Sequence, residues 1–477
     1  MEKNEIHVNS INSHDCISGN TRIVLMDPNG CVIYTTASYF KHFSIGMTVL
    51  HGWKILSTDG KFTDLISVSV NTGVNYINAI RASHGVIKVT DNQIISIYRK
   101  KEYMEIPAKE IQKYDCLIEA SLKDIIKEEY KLQEINLIDL IPIHSNISIV
   151  GTPKLATLLA NFPINGSEED RVNLQERYTR EGISLDGYKL IRGQLADVID
   201  ENKLGLIIKK SIIATKPIPV KYKLTREFGR FYGLLYSEGC VTRNSICITN
   251  SDPEIIDFAK MYLAKLLHRD KATVCINANG CSDIRLNSAL FASLFKNGIL
   301  GSHYGSGNLK LPNWFFFAND EFLKGFLSGV IDGDGYVNVP MNYIKIYTSS
   351  ETFAEDIQAV CSRFGYITSV NVTETKGRII HIRDKTYTRN FDEYQVTINN
   401  LDIVDMNLHD SIKARKLNGY ISKRKYSKKY LNRVHSIKQY DFNGCVYDFE
   451  TGNHYFAAGT QLLHDCTNTS SGSIHRY

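Results

Sequence analysis

The chain has 477 residues, enough for about three domains at roughly 150 residues each. A hydrophobic fraction of 43% excludes a wholly disordered chain, and a net charge of +5 permits nucleic-acid binding without requiring it. No apolar stretch approaches the roughly 18 residues of a membrane span, and the polar opening MEKNEIHVNSINSHD lacks a signal-peptide core. None of the ten cysteines has Cys-x-x-Cys spacing, which argues against a zinc ribbon. They read as mostly buried free thiols of a reducing, cytoplasmic compartment.

From Cys16 to about Ala120 the pattern is short strands and turns: Thr21–Met26, the turn Asp27-Pro28-Asn29-Gly30, Cys31–Thr35, Leu65–Val70, Val86–Thr90 and Gln93–Ile97. Residues 121–220 are mixed and charged, with helix-like patches at Pro153–Ala160 and Gly193–Asp200. They read either as a linker or as an additional DNA-recognition arm. From Lys221 to about Lys429 there is an internal repeat. EFGRFYGLLYSEGCV, SICITN and DPEIIDFAKMYLAKLL recur in kind as EFLKGFLSGVIDGDGYV, IKIYTS and ETFAEDIQAVCSRFG. Two copies of one helix–hairpin–helix unit suggest a pseudo-two-fold pair. A basic run follows: Lys413, Arg415, Lys416, Lys423, Arg424, Lys425, Lys428, Lys429 and Arg433. Alone it could be a solvated face; beside the repeat it reads as a phosphate-contacting surface. β character returns at Cys445–Glu450, His454–Ala457 and Gln461–Leu463. The simplest architecture is an all-β domain (16–120 and 430–465) split by an α/β insertion.

Within each repeat a helix carries small residues four apart, Gly233 and Ser237 or Gly329 and Gly333, on one face. Glycine inside a helix costs about 1 kcal/mol relative to alanine, so the pattern asks for a close helix pair. Each helix stops at Gly239 or Gly335, preceded by Glu238 or Asp334. Pressed together, the helices would bring the two carboxylates into one space, where a divalent cation relieves their repulsion. Such a site beside a basic surface suits phosphodiester hydrolysis.

Phe231–Gly239 (FYGLLYSEG) and Leu327–Gly335 (LSGVIDGDG) resemble the paired motifs of the LAGLIDADG homing endonucleases, over about residues 221–425. The resemblance implies pseudo-symmetric αββαββα repeats whose sheets form a saddle for double-stranded DNA, working as a monomer with Mg2+. It maps the metal-binding acids onto Glu238 and Asp334, and a lysine onto Lys310 in KLPNW, with Lys416 as its counterpart after the second repeat. Tyr236 stands where the family often has an acid.

The cysteines at the outer ends carry a second signal. A thiol with an ordinary pKa near 8.5 is a good acyl-transfer nucleophile when a base or strained geometry assists it. Cys16 opens CISGNT, and Cys466 follows His464 and Asp465. These features, with VYDFETGNHYFAAG before the end, resemble the Hint-fold splicing domain of an intein over Cys16–Asp465. The resemblance places Cys16, Ser18, Gly19 and Thr21 in the opening motif, and Asp448 and His454 in the penultimate one. It makes residues 1–15 and 466–477 pieces of a host protein, the exteins. Cys16 would attack the Asp15 carbonyl, Cys466 would take over the acyl group, and cyclisation at 465 would release the element without a cofactor. LAGLIDADG insertions are common in inteins, so the nesting of the two signatures is itself informative. Two positions depart from the family. The Thr-x-x-His motif, whose histidine polarises the first scissile bond, aligns with Thr90-Asp91-Asn92-Gln93, so Gln93 replaces the histidine. Asp465 replaces the cyclising asparagine, so a carboxylate must form an anhydride or leave cleavage to water. The resemblance therefore implies splicing plus site-specific cleavage of the intein-free allele. A nuclease that only binds DNA, or a splicing domain that cleaves without ligating, are the alternatives.

Overall fold

A computed structural model describes residues 15–120, 122, 126, 128–142, 146–151, 178–179, 182–208, 216–268, 272–302, 305–366, 368–382, 385–399, 407–417 and 432–465. The expected host-protein segments 1–14 and 466–477, including Cys466, lie outside the described residues, as do the helix-like patch at Pro153–Ala160 and the basic residues Lys423, Arg424, Lys425, Lys428 and Lys429.

The strands expected at the two ends of the chain pair with each other. Ile17–Ser18 lies between Gly85–Val89 and Val446–Thr451, and Val446–Thr451 in turn pairs with Phe62–Asn71. Val434–Asp441 adds to Tyr76–Ala82 at one edge of this ten-stranded antiparallel sheet. A smaller sheet sets Gln461–His464 between Tyr455–Ala458 and Ile94–Arg99. Alternation of apolar residues closes one core from both halves, including Ile17, Leu25, Val68, Ile80, Ile95, Phe449 and Leu463. The interrupted β-domain is thus a single body.

The insertion contains the repeat. The first copy runs from the helix Arg226–Glu238 through Gly239–Val241, Ser245–Asn250, the helix Pro253–Leu266, Thr273–Ile276 and Ser282–Asn287. The second runs from the helix Asp320–Asp334 through Gly335–Asn338, Tyr343–Thr348, the helix Glu351–Arg363, Thr368–Thr373 and Glu393–Asn399. Each copy folds its four strands in the same order, first–second–fourth–third. Thr225 and Asn319 cap the motif helices, their side-chain oxygens accepting the Phe228 and Phe322 N–H groups. Ile246, Ile248, Ile284 and Leu286 of one sheet, and Ile344, Ile346, Val396 and Ile398 of the other, bury one face in a common core. Alternation then leaves the opposite faces to Thr249, Asp283 and Arg285, and to Lys345, Tyr347 and Gln395.

The described residues between 121 and 220 carry strands and a helix of their own. Tyr178–Thr179, Gly182–Ser184, Ile147–Val150, Gly205–Ile208 and Ile218–Pro219 form a five-stranded sheet. The helix beside it spans Leu185–Leu195, not the expected Gly193–Asp200. Ser184 caps it, and Leu185, Tyr188, Ile191 and Leu195 point at helical spacing into the same core as the repeats. The cysteines also differ from expectation. Among the described residues Cys16, Cys116, Cys247 and Cys361 are buried, but Cys31, Cys240 and Cys275 are exposed. Cys240 and Cys275 sit on the first and third strands of the first repeat's sheet. Among the described residues no helix is long and apolar enough to cross a membrane.

Candidate functional sites: a paired carboxylate and the two ends of the β-domain

The motif helices meet through their glycines. A Cβ at Gly229 would lie 1.9 Å from the Phe322 carbonyl oxygen, and one at Gly325 2.0 Å from that of Arg226. At Gly233 and Gly329 the distances are 2.2 Å to Phe326 and 2.2 Å to Arg230. The small-residue stripe therefore begins one turn earlier than Gly233 and Gly329, a spacing already legible in the sequence. At the far end a Cβ on Gly333 would sit 2.0 Å from Ser237 Oγ and 3.0 Å from Glu238 Cγ. This brings Glu238 close enough for its charge to act on Asp334, which lines a cleft with Tyr236, Ser306 and Tyr347.

Both carboxyls are harder to ionise than usual. Burial raises Glu238, with Lys413 opposing. Surrounding protein, then the Glu238 charge, push Asp334 up to about 7, again against Lys413. Asp334 still opens to solvent through the cleft. The lysine beside the acids is Lys413, whose Nζ donates to the Gly333 carbonyl at 2.6 Å and to that of Gly335 at 3.0 Å. Lys416, the expected counterpart of Lys310, is exposed one turn further on.

The reason lies two residues before each acid. Tyr236 donates its hydroxyl to the Lys310 carbonyl at 2.9 Å. Asp332, at the equivalent place, accepts from Ser411 Oγ at 2.7 Å and from the Lys413 N–H at 3.2 Å. Tyrosine and aspartate thus do one job, each tying down the lysine-bearing segment of its own repeat. Lys310 itself is grouped with Arg22 and Asp356 rather than with the carboxylate pair. Of the remaining basic run, Arg415 pairs with Glu254. Lys413 and Arg415 thus each have partners within the protein.

In the β-domain one turn touches both ends. Thr90–Gln93 joins the strand beside Cys16 to the strand beside His464. Thr90 Oγ1 accepts the Cys16 N–H at 2.9 Å, and the Thr90 N–H donates to the Cys16 carbonyl at 2.9 Å. Gln93 points to the other end of the domain. Its Nε2 donates to the His464 carbonyl at 2.7 Å, while Oε1 has no partner among the described residues. An amide donor finds that carbonyl because the short turn aims residue 93 across to the second strand.

Cys16 is fully buried, and burial first, then the Asp448 charge, push its thiol well above the ordinary range; Asn71 Nδ2, 3.6 Å from Sγ, pulls the other way. At the opposite end Asp465 is 1% exposed. Its carboxylate accepts from Thr451 N–H at 2.7 Å, Thr451 Oγ1 at 3.1 Å and His454 Nδ1 at 3.2 Å. His464 Nδ1 lies 2.7 Å from the Asp465 carbonyl oxygen and donates to it in the Nδ1–H tautomer. The two imidazoles stack with centroids 5.8 Å apart, and His454 takes a positive φ of 66° to get there. The penultimate motif is therefore divided: the Asp448 charge acts on Cys16, and His454 bonds Asp465. Asn71 and Thr451 had no sequence signal, because their partners are remote in the chain.

A family model described as a LAGLIDADG-like domain matches residues 321–399. The DNA-directed RNA polymerase subunit Rpo1C of Methanocaldococcus jannaschii is 32% identical over 182 residues, 37% of this chain and 20% of that protein. The chain thus matches about a fifth of that relative's length. The crystal structure of I-DmoI in complex with DNA and Mn aligns with a TM-score of 0.27 at 11% identity, covering 42% of this chain and 100% of that one. A transcription factor IIB Mja mini-intein aligns with a TM-score of 0.18 at 14% identity, covering 22% of this chain and 65% of that one. The chain contains a LAGLIDADG-like domain.

Proposed function

We propose that this chain is a bifunctional intein: a splicing element that excises residues 16–465 and carries a DNA-cleaving homing endonuclease. The observation that carries the splicing half is the Thr90–Gln93 turn, which holds the Cys16 amide and the His464 carbonyl at once. In this reading Cys16 Sγ attacks the Asp15 carbonyl carbon, the C–N bond breaks, and the Cys16 amine takes up a proton. The buried thiol needs its proton removed as it attacks, and Thr90 at the leaving nitrogen helps to hold that amide in place. Cys466 would then attack the thioester and take over the acyl group. The Asp465 carboxylate attacks its own carbonyl carbon, expelling the Cys466 amine and leaving a cyclic anhydride that water opens. His464 polarises that carbonyl, and Thr451 with His454 fixes the attacking carboxylate. An S-to-N shift completes the join of Asp15 to Cys466.

For the nuclease half, Glu238 and Asp334 are the residues that would hold a divalent cation. Two opposed carboxylates, both resisting ionisation while alone, are the donor chemistry Mg2+ favours. Among the described residues no third Asp, Glu, His or Cys joins them, which leaves coordination places for phosphate and water. The cation, when bound, supplies charge stabilisation and an activated water. The sheet faces bearing Arg285, Lys345 and Gln395 would lie along the duplex, and the substrate would be the intein-free allele encoding the Asp15–Cys466 junction.

Two experiments test this. Expressing the chain between larger tagged flanks and weighing every product should yield the ligated flanks plus the freed element; only cleaved flanks would leave a nuclease with a cleaving β-domain. A plasmid carrying the joined-flank sequence should be cut with Mg2+ and spared with EDTA. Cutting that survives in Glu238→Gln/Asp334→Asn would refute the carboxylate assignment.

A further inference from the structure

The LAGLIDADG-like repeat and the β-domain share a buried ion pair that neither resemblance calls for. Arg22 stands in the strand Arg22–Met26 of the β-domain, and its Nη2 donates to Asp356 Oδ1 in the second-repeat helix Glu351–Arg363. Arg22 is 5% exposed and Asp356 3%. The other oxygen, Asp356 Oδ2, accepts the Leu311 N–H at 2.9 Å. That N–H belongs to the Lys310–Leu311 peptide, whose carbonyl accepts the Tyr236 hydroxyl at 2.9 Å and the Ser302 N–H at 2.8 Å. The peptide carrying Lys310 is therefore gripped from both edges, by the motif helix on one side and by Asp356 on the other.

The cation behind that grip comes from the β-domain. Among the described residues Arg22 is the ion-pair partner of Asp356. Its guanidinium also lies 5.1 Å from the centre of the Tyr34 ring, and Tyr34 stacks at 4.2 Å on Phe316, in the segment that follows Lys310. A buried carboxylate deprived of its cation takes up a proton or moves, and either change loosens the Leu311 N–H bond. Desolvation and the Arg22 charge also hold the Lys310 ammonium below the ordinary lysine range, against Asp356. The same Arg22 offers its backbone carbonyl to Gly459 N–H at 2.6 Å, on the segment leading to His464.

We propose that Arg22, with Asp356, positions Lys310 for DNA cleavage, so that the nuclease is complete only with the β-domain docked against it. The inference rests on the nuclease reading, and its test separates the two. In the full chain, Arg22→Leu/Asp356→Leu removes both charges together and avoids stranding one ion. Should that pair unfold the chain, Arg22→Gln/Asp356→Asn makes the same comparison. DNA affinity should stay within about twofold of the parent, while single-turnover cleavage falls about tenfold or more. On a Lys310→Met background the pair should add nothing further. Acetylation of Lys310 by an N-hydroxysuccinimide ester, read by peptide mass against exposed Lys416, should change about threefold in the paired variant. Arg22→Lys alone, which keeps a cation opposite Asp356, should show only part of either effect. An equal loss of cleavage on the Lys310→Met background, or unchanged Lys310 labelling, would overturn the proposal. A parent chain that cuts no DNA while Lys310 labelling still shifts would overturn the nuclease reading and leave the clamp supported.

Discussion

Replacing Gly233 by alanine tests whether the close helix pair sets the carboxylate geometry. The new methyl carbon would lie 2.2 Å from the Phe326 carbonyl oxygen and 2.6 Å from the Val330 nitrogen, both backbone atoms. Ordinary contact begins at 3.4 Å, so the helices must part by about 1.2 Å. No flexible side chain can give way there. Overpacking of this kind costs up to about 3 kcal/mol, and alanine returns about 1 kcal/mol of helix propensity, leaving a net loss of about 2 kcal/mol. Glu238 ends the same helix, five residues on, so parting the helices also spreads the carboxylates. A displacement near 1 Å is worth roughly a hundredfold in rate when the reacting groups must be fixed. Urea unfolding with cleavage of the junction plasmid measures both effects. Gly193→Ala is the internal control: in its helix nothing lies within 4 Å of the new carbon, so the same substitution should stabilise by up to about 1 kcal/mol. A Gly233→Ala chain with the parent's unfolding midpoint and cleavage rate would refute the reasoning.

The two ends of the Thr90–Gln93 turn should be separable: Thr90→Val should slow thiol-induced cleavage at Asp15, while Gln93→Leu should slow C-terminal release roughly fivefold, about 1 kcal/mol for a lost hydrogen bond, and leave the first step intact. Asp465→Asn should raise the ligated fraction, since an amide nitrogen can close a stable imide where the carboxylate closes an anhydride; mass spectrometry of the released element distinguishes them. Because Asp334 titrates near 7 and Glu238 is also raised, Mg2+ affinity should climb between pH 6 and 8 as the competing proton leaves. The sign for stability is opposite. A carboxyl whose folded pKa lies above its unfolded value costs nothing below the unfolded pKa and costs most above the folded one, so metal-free Asp334→Asn should melt higher than the parent at pH 8 and match it at pH 4. A flat Mg2+ titration across that range would remove the carboxylates from the site.

The amino-acid sequence by itself determined what depends on local pattern. Strand alternation around Ile17–Met26 and Val446–His464, the repeated helix–hairpin–helix units, and the four-residue spacing of Gly233, Ser237, Gly329 and Gly333 are near-neighbour regularities, and each element forms where the pattern places it. Motif spacing likewise singled out Cys16, Thr90, Glu238 and Asp334. What only the tertiary structure decided are contacts between residues far apart in the chain. Lys413 stands beside the acids because Asp332 captures the Ser411 hydroxyl and the Lys413 N–H, and an alignment by motif sees the lysines but not that capture. Gln93 bonds the His464 carbonyl because two sheets meet at its turn. Thr451, Asn71 and Arg22 carry no local signature: each acquires its partner, Asp465, Cys16 or Asp356, only when distant strands and helices close on one another. Hydrogen bonds and ion pairs act over a few ångströms, and chain distance says nothing about which groups folding will bring within that range.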